Sequence, residues 1–371
     1  MKDRKIVYLL QSVVMHGGIQ KVTIDKANYI AQYWKWQVYI VSNISDSTQC
    51  IYQSDSSIKF IKLFNNENLN IPQLKLAEKY RNLIKEINPD LVVISLDLLQ
   101  HILFRLFTPK QIPIVKENHV SYNAVMENFK GKRGKLNKVI SFFYKKSLMS
   151  YDKVVVLTKR DRELWGIKNC VTINNFIPSK FVNTQNNTIK YQSFAVSAGR
   201  LNKLKGFDEL IQIWKQVVEN NPNLTLRIYG EGNDRNNLEL LINKLELSSK
   251  VFLMGATNEM SEKYQESKVV LLASQSEGFS LILAEANACG IPCIAYDCPN
   301  GPGEIIEDGK NGFLIPMGNR DLFAKRVTQL SENEILYQSM SENSLEQSKR
   351  FNVDFIMEKW RNLFEKYCNC K

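Results

Sequence analysis

The stretch Phe194-Ala195-Val196-Ser197-Ala198, followed by Gly199-Arg200-Leu201-Asn202-Lys203-Leu204-Lys205-Gly206 and then by a helical pattern over Phe207–Glu219, sets the fold. It reads as a buried strand, a polar loop with a glycine at each end, and a helix. That succession predicts one strand-crossover unit of a parallel sheet. The glycines permit a tight bend. Arg200 and Lys205, projected from one strand-to-helix loop, can both reach a diphosphate, Arg as a planar fork and Lys as a point charge. A solvated basic turn would read the same way.

The same alternation extends in both directions. Downstream come Leu224–Tyr229, Asn236–Leu247, Val251–Met254, Val269–Ala273, Leu281–Cys289 and Pro292–Tyr296. Upstream come Ile6–Leu10, Val22–Tyr33, Val38–Ser42, Leu74–Ile87, Leu91–Ser95, Ile112–Lys116 and Lys153–Leu157. Between the two series, residues 172–192 lose periodicity and turn polar, as a linker does. Two α/β domains in series are expected, each a doubly wound parallel sheet, over residues 1–185 and 186–350. A last helix within 351–371 carries Phe355, Ile356, Trp360, Leu363 and Phe364 at helical spacing. It is expected to pack back on the first domain. A chain of 371 residues, 44% of them apolar, suits two such cores.

Charge is divided unequally. Residues 1–180 hold 28 Lys and Arg against 14 Asp and Glu, a net of +14, whereas residues 181–371 hold 21 against 24, a net of −3. The basic residues are densest from Arg105 to Lys146. Phosphorylated small molecules, anionic lipid and nucleic acid all fit such a field, as does a solvated lysine-rich face. Around Phe129–Tyr144 the basic residues alternate with Leu136, Val139, Ile140, Phe142 and Phe143. This pattern suits either a helix lying on an anionic membrane or an ordinary helix with its apolar side turned inward. No nucleic-acid-binding motif accompanies the charge, and no nucleic-acid partner is expected. Seven irregularly spaced cysteines and three histidines argue against a disulfide framework and against a structural metal. No signal peptide or membrane span is read, so the expected location is cytoplasmic, with peripheral contact at the inner face of the plasma membrane.

Two further motifs carry chemistry. His16-Gly17-Gly18, after the first strand, lets backbone approach a phosphate or sugar at a helix N-terminus, or else forms a simple turn. Glu277-Gly278-Phe279-Ser280-Leu281-Ile282-Leu283-Ala284-Glu285 places two carboxylates across a loop-to-helix junction. Both can face a polyhydroxylated ligand, and Glu285, flanked by Leu283, Ala284 and Ala286, would be costly to bury unpaired.

The Glu277-x₇-Glu285 pair, with Gly199-Arg200-x₄-Lys205-Gly206, Tyr229-Gly230-Glu231-Gly232 and Gly290-Ile291-Pro292, resembles glycosyltransferase family 4 in order and spacing over most of residues 195–315. These are retaining enzymes of the GT-B fold, in which two Rossmann-like domains face each other across a cleft. The resemblance is to members of the bacterial surface-polysaccharide type. It implies that Arg200 and Lys205 neutralise the diphosphate, that Glu277 holds donor-sugar hydroxyls and that Glu285 holds the ribose. Gly17, Gly18, Gly199, Gly230, Gly278, Phe279, Ser280 and Leu281 would line the nucleotide-sugar, and His119 would lie beside the transferred sugar. A lone histidine after a strand can equally be a structural hydrogen-bonder. Position 280 is Ser where many relatives have Gly or Pro. Asp297-Cys298-Pro299-Asn300-Gly301-Pro302-Gly303-Glu304 resembles a segment of members that use UDP-hexoses or UDP-N-acetylhexosamines.

The expected reaction is therefore transfer of a hexose or N-acetylhexosamine from a UDP-sugar co-substrate to a growing, lipid-linked glycan of lipopolysaccharide, capsule or exopolysaccharide. No Asp-x-Asp motif occurs, and neither metal nor cofactor is expected. An epimerase or hydrolase on the same fold is the alternative among enzymes, and a basic nucleic-acid-binding protein the alternative outside them.

Overall fold

The computed structural model of the chain describes residues 4–13, 17–42, 52–63, 73–96, 100–127, 134–182 and 194–368. His16, Lys130, Lys132, Arg133 and residues 183–192 of the polar stretch lie outside them, as do the side chains of Leu136 and Ile140. The chain divides into two compact units, Met1–Asn174 with Asp354–Lys371, and Asn175–Val353.

The first unit holds strands β1 (Lys5–Leu10), β2 (Gln37–Ser42), β3 (Lys59–Lys62), β4 (Leu91–Ile94), β5 (Ile114–Asn118), β6 (Lys153–Val156) and β7 (Cys170–Thr172). Its helices are α1 (Gly18–Tyr29), α2 (Gln73–Ile87), α3 (Gln100–Phe107), α4 (Tyr122–Glu127), α5 (Gly134–Leu148) and α6 (Lys159–Trp165). The second unit holds β8 (Phe194–Ala198), β9 (Thr225–Tyr229), β10 (Val251–Gly255), β11 (Val269–Leu272), β12 (Cys293–Tyr296) and β13 (Gly312–Ile315). Among its helices are α7 (Phe207–Asn220), α8 (Arg235–Lys244), α9 (Met260–Gln265), α10 (Leu281–Ala288), α11 (Pro302–Ile305), α12 (Arg320–Glu332) and α13 (Glu334–Ser348). The last helix, α14 (Val353–Cys368), belongs from Asp354 onward to the first unit.

Both sheets are parallel throughout, in the orders β3-β2-β1-β4-β5-β6-β7 and β10-β9-β8-β11-β12-β13. These are the two doubly wound α/β sheets expected. Their strands are short, nearly continuous runs of Val, Ile and Leu, because helices cover both faces and leave no solvent face for polar residues. In each sheet the first strand sits beside both the second and the fourth, so the crossovers on its two sides run in opposite directions. That reversal opens a crevice at the carboxyl ends of the two strands, β1/β4 in one unit and β8/β11 in the other.

The β8 crevice is built at the van der Waals limit. Gly206 has φ +63, and a Cβ there would lie 2.1 Å from the Ala273 carbonyl oxygen. At Gly230 (φ +141) a Cβ would meet the Gly199 carbonyl oxygen at 1.9 Å. Only glycine lets these loops stack with such backbone contact. Among the described residues no helix is long and apolar enough to cross a membrane.

Candidate functional site

In the second unit, the loop after β8 and the loop after β11 meet at the crevice. Asn202 accepts from the Lys205 amide with its side-chain oxygen (3.2 Å), capping the single helical turn Lys203–Lys205 and fixing where the lysine points. The Lys205 ammonium donates to Glu277 Oε1 at 2.7 Å, with the carboxylate side chain 9% exposed and the lysine 29%. Lys205 and the first glutamate of the motif are therefore partners across 72 residues. Arg200 is exposed on the same loop. Gly199, whose amide donates to Tyr229 O, and Gly230 bring the β9 loop against this one.

Glu277-Gly278-Phe279-Ser280 leads into α10. Phe279 is buried edge-on against Phe351 at 5.3 Å, which anchors the loop. Leu281 opens the helix, and Glu285 is half-buried one turn further on. Glu285 accepts from the Tyr264 hydroxyl at 3.2 Å. Its cost of burial is thus partly met inside the chain, whereas the sequence pattern suggested only ligand hydroxyls. Ser280 is buried at the N-cap position, yet its side chain makes no capping hydrogen bond.

In the first unit, Gly17 and Gly18 stand at the N-terminus of α1 beyond the end of β1. The Gly17 amide donates to the Tyr52 hydroxyl (3.0 Å). His119 follows β5 directly, its Nε2 3.5 Å from Glu117 Oε1. Glu117 is fully buried and forms an ion pair with fully buried Lys26 of α1. Lys26 also lies 3.8 Å from the ring of Trp360 on α14. Burial pushes the Glu117 carboxyl up, but the charges of Lys26 and His119 outweigh it and hold it well below the usual carboxylate range. Burial lowers Lys26, with Glu117 opposing. Removing one member would leave the other buried and unpaired, at a cost of about 3–5 kcal/mol. Sequence reasoning passed over both residues. Lys26 falls among the buried residues Val22, Thr23, Ile24 and Ala27 of α1, and a lysine on a helix's apolar side was the available signal.

The basic helix carries apolar residues on both its exposed and its buried sides. On α5, Val139, Phe142 and Phe143 are 49%, 63% and 59% exposed, and Met149 just beyond it is 54% exposed. They recur at helical spacing with exposed Lys146, while Tyr144 and Leu148 pack inward.

A concavity of about 550 Å³ in the second unit is lined by Gly206, Glu209, Ala273, Tyr296 and Arg320 among others. None of the motif carboxylates lines it. Its central charge, Glu209, is already met by Arg320 (2.6 Å) and the Tyr296 hydroxyl (2.9 Å).

The family described as "Glycosyl transferases group 1" matches residues 180–347, nearly the whole second unit. The two doubly wound sheets share the GT-B fold of solved glycosyltransferase structures. More particularly, the chain is 28% identical over 370 residues to an uncharacterized glycosyltransferase of Haemophilus influenzae, covering 97% of this chain and 99% of that one. It is 27% identical over 378 residues to the amylovoran biosynthesis glycosyltransferase AmsD of Erwinia amylovora, again 97% and 99% of the two chains. A structure of an S. aureus TarM variant in complex with fondaparinux, α-GlcNAc-glycerol and UDP superposes with a TM-score of 0.81 at 17% identity, over 97% of this chain and 99% of that one.

Proposed function

We propose that this protein is a group 1 glycosyltransferase that transfers a hexose or N-acetylhexosamine from a UDP-sugar to a lipid-linked glycan in bacterial polysaccharide synthesis, with retention and without a metal. The observation that carries the reading is the Lys205–Glu277 pair at the β8/β11 crevice, where a diphosphate and a sugar can be held side by side. The UDP in the TarM complex and the polysaccharide role in the name of AmsD support the donor and the pathway class.

The anomeric C–O bond to the diphosphate breaks as the acceptor hydroxyl approaches from the same face, and the hydroxyl proton passes to the departing phosphate oxygen. Arg200 and Lys205 stabilise the charge that develops on that phosphate. Glu277 positions sugar hydroxyls, Glu285 the ribose, and the Gly278–Leu281 backbone the phosphates. His119 gives a hydrogen bond to the sugar substrate. Transfer assays with the UDP-hexoses and UDP-N-acetylhexosamines, bacterial lipid extract and excess EDTA test this reading. An α-configured UDP-sugar yielding an α-linked product by NMR supports it, and an inverted anomer or dependence on added metal contradicts it.

The exposed apolar stripe of α5 favours a second element of the reading, contact with an anionic membrane. In a lobe with a net charge of +14, Val139, Phe142, Phe143 and Met149 beside Lys146 suit insertion among acidic headgroups. Sedimentation with phosphatidylglycerol vesicles, lost in Phe142→Ser/Phe143→Ser, is the expected result; a protein that stays in the supernatant in low salt contradicts it.

A further inference from the structure

The loop Asp297–Gly301 after β12 wraps the Lys205–Glu277 pair. A Cβ on Gly301 would lie 2.5 Å from Glu277 Cβ and 2.9 Å from Ser280 Oγ. Burial pushes the Cys298 thiol up to about 12, with Glu277 and Asp297 adding to it and Lys205 opposing, which places the loop within electrostatic reach of both site residues. In its middle stands Asn300, 3% exposed and held at φ +67, followed by Gly301 at φ +66.

Neither polar atom of the Asn300 carboxamide has a hydrogen-bond partner, and the neighbouring Ser280 hydroxyl has none either. Among the described residues, Asn300 is the one side chain with both of its polar atoms in this condition. An asparagine in the left-handed region commonly binds its own backbone; this one does not. The fold thus bears backbone strain and an unsatisfied buried amide at one position, a combination that persists where a bound group offsets it.

The chemistry narrows what that group is. A carboxamide presents an acceptor and two donors, and a serine hydroxyl presents both kinds. Phosphate oxygens only accept, so they leave Asn300 Oδ1 unmet. A sugar hydroxyl or an acetamido group both donates and accepts. We infer that Asn300, with Ser280, reads a substituent of the donor's sugar beside Glu277 and so determines which sugar the protein prefers. This rests on the crevice being a nucleotide-sugar site. Glu277 is itself only 9% exposed, so a sugar that engages it enters the same buried region as Asn300.

The test is calorimetric binding of UDP, UDP-glucose, UDP-galactose, UDP-GlcNAc and UDP-GalNAc to the full chain. Wild type is compared with Asn300→Gly, which keeps the left-handed backbone and deletes the carboxamide. The expected result is UDP affinity within about twofold of wild type, with the preferred UDP-sugar weakened about tenfold and the ranking of the four sugars collapsed. Preference for an acetamido sugar over its hydroxyl counterpart, or the reverse, identifies the group read. If Asn300→Gly does not fold, Asn300→Ser, uncharged and without the carboxamide, gives the same comparison. An unchanged ranking, equal loss of UDP and UDP-sugars, or a wild type that binds UDP but ranks no sugar overturns the inference while leaving the donor site standing. A wild type that binds no uridine nucleotide overturns the donor site and the inference together.

Discussion

On the proposed reading, the Lys205–Glu277 salt bridge is a device for exchange. The lysine side chain is 29% exposed, so the pair lies near the dielectric boundary, where an ammonium can turn from carboxylate to phosphate at little cost. Lys205→Ala is expected to weaken UDP binding by about 10- to 100-fold, the worth of a charge-assisted hydrogen bond, as read by calorimetry; unchanged affinity would place the phosphates elsewhere. A second residue tests the first unit. His101 is buried, its ring nitrogen Nδ1 3.1 Å from the Tyr151 hydroxyl, and burial, with Lys116 adding, lowers it to about 3. Below the ordinary histidine value of 6.5, the unfolded chain takes up a proton that the folded chain refuses. Stability is therefore full above that value and falls as pH drops toward 3. Urea unfolding at pH 7.5 and 5 should show wild type losing about 2 kcal/mol more than His101→Phe; parallel losses would count against it. Spacing made the glycine loops and both motif glutamates visible in the sequence. It could not show that Glu277 faces Lys205, or Lys26 faces Glu117, because pairs 72 and 91 residues apart leave no local trace.

Among the elements, α14 packs its apolar side into the first unit. Ile356, Met357, Trp360 and Phe364 are buried. Phe364 meets Trp34 and Trp36 at 6.3 and 6.4 Å, and Asp354 accepts from the Tyr29 hydroxyl at 2.6 Å. Trp360→Ala should cost about 3–5 kcal/mol, from the cavity and from the loosened cover over Lys26, as measured by urea denaturation; a loss under about 1 kcal/mol would mean that the helix is dispensable. Periodicity made α14 legible as a helix, though Phe355 proves half exposed and Met357 buried. The same method could not orient α5. Apolar residues occur on more than one of its sides, so the pattern is compatible with either face turning inward, and only packing shows Phe142 and Phe143 outside.

At the scale of the whole molecule, two parallel sheets each reverse their strand order beside the first strand, where the proposed chemistry lies. The alternation of strand and helix predicted parallel sheets, and the order β10-β9-β8-β11-β12-β13 explains why residues near 200 and near 280 share one crevice. The order itself was not legible, since it depends on which crossovers turn which way. The division of charge, +14 against −3, leaves the second half of the chain close to neutral, so the proposed hold on an anionic nucleotide depends on placed cations rather than on a general field. The most direct measurement is the thermal stability of wild type and Glu285→Ala with UDP, GDP and ADP in EDTA, since a ligand of the folded state raises the apparent Tm. The account predicts an upshift with UDP alone, unaffected by EDTA and lost in Glu285→Ala. No upshift with any nucleotide, or one that survives in the variant, would contradict it.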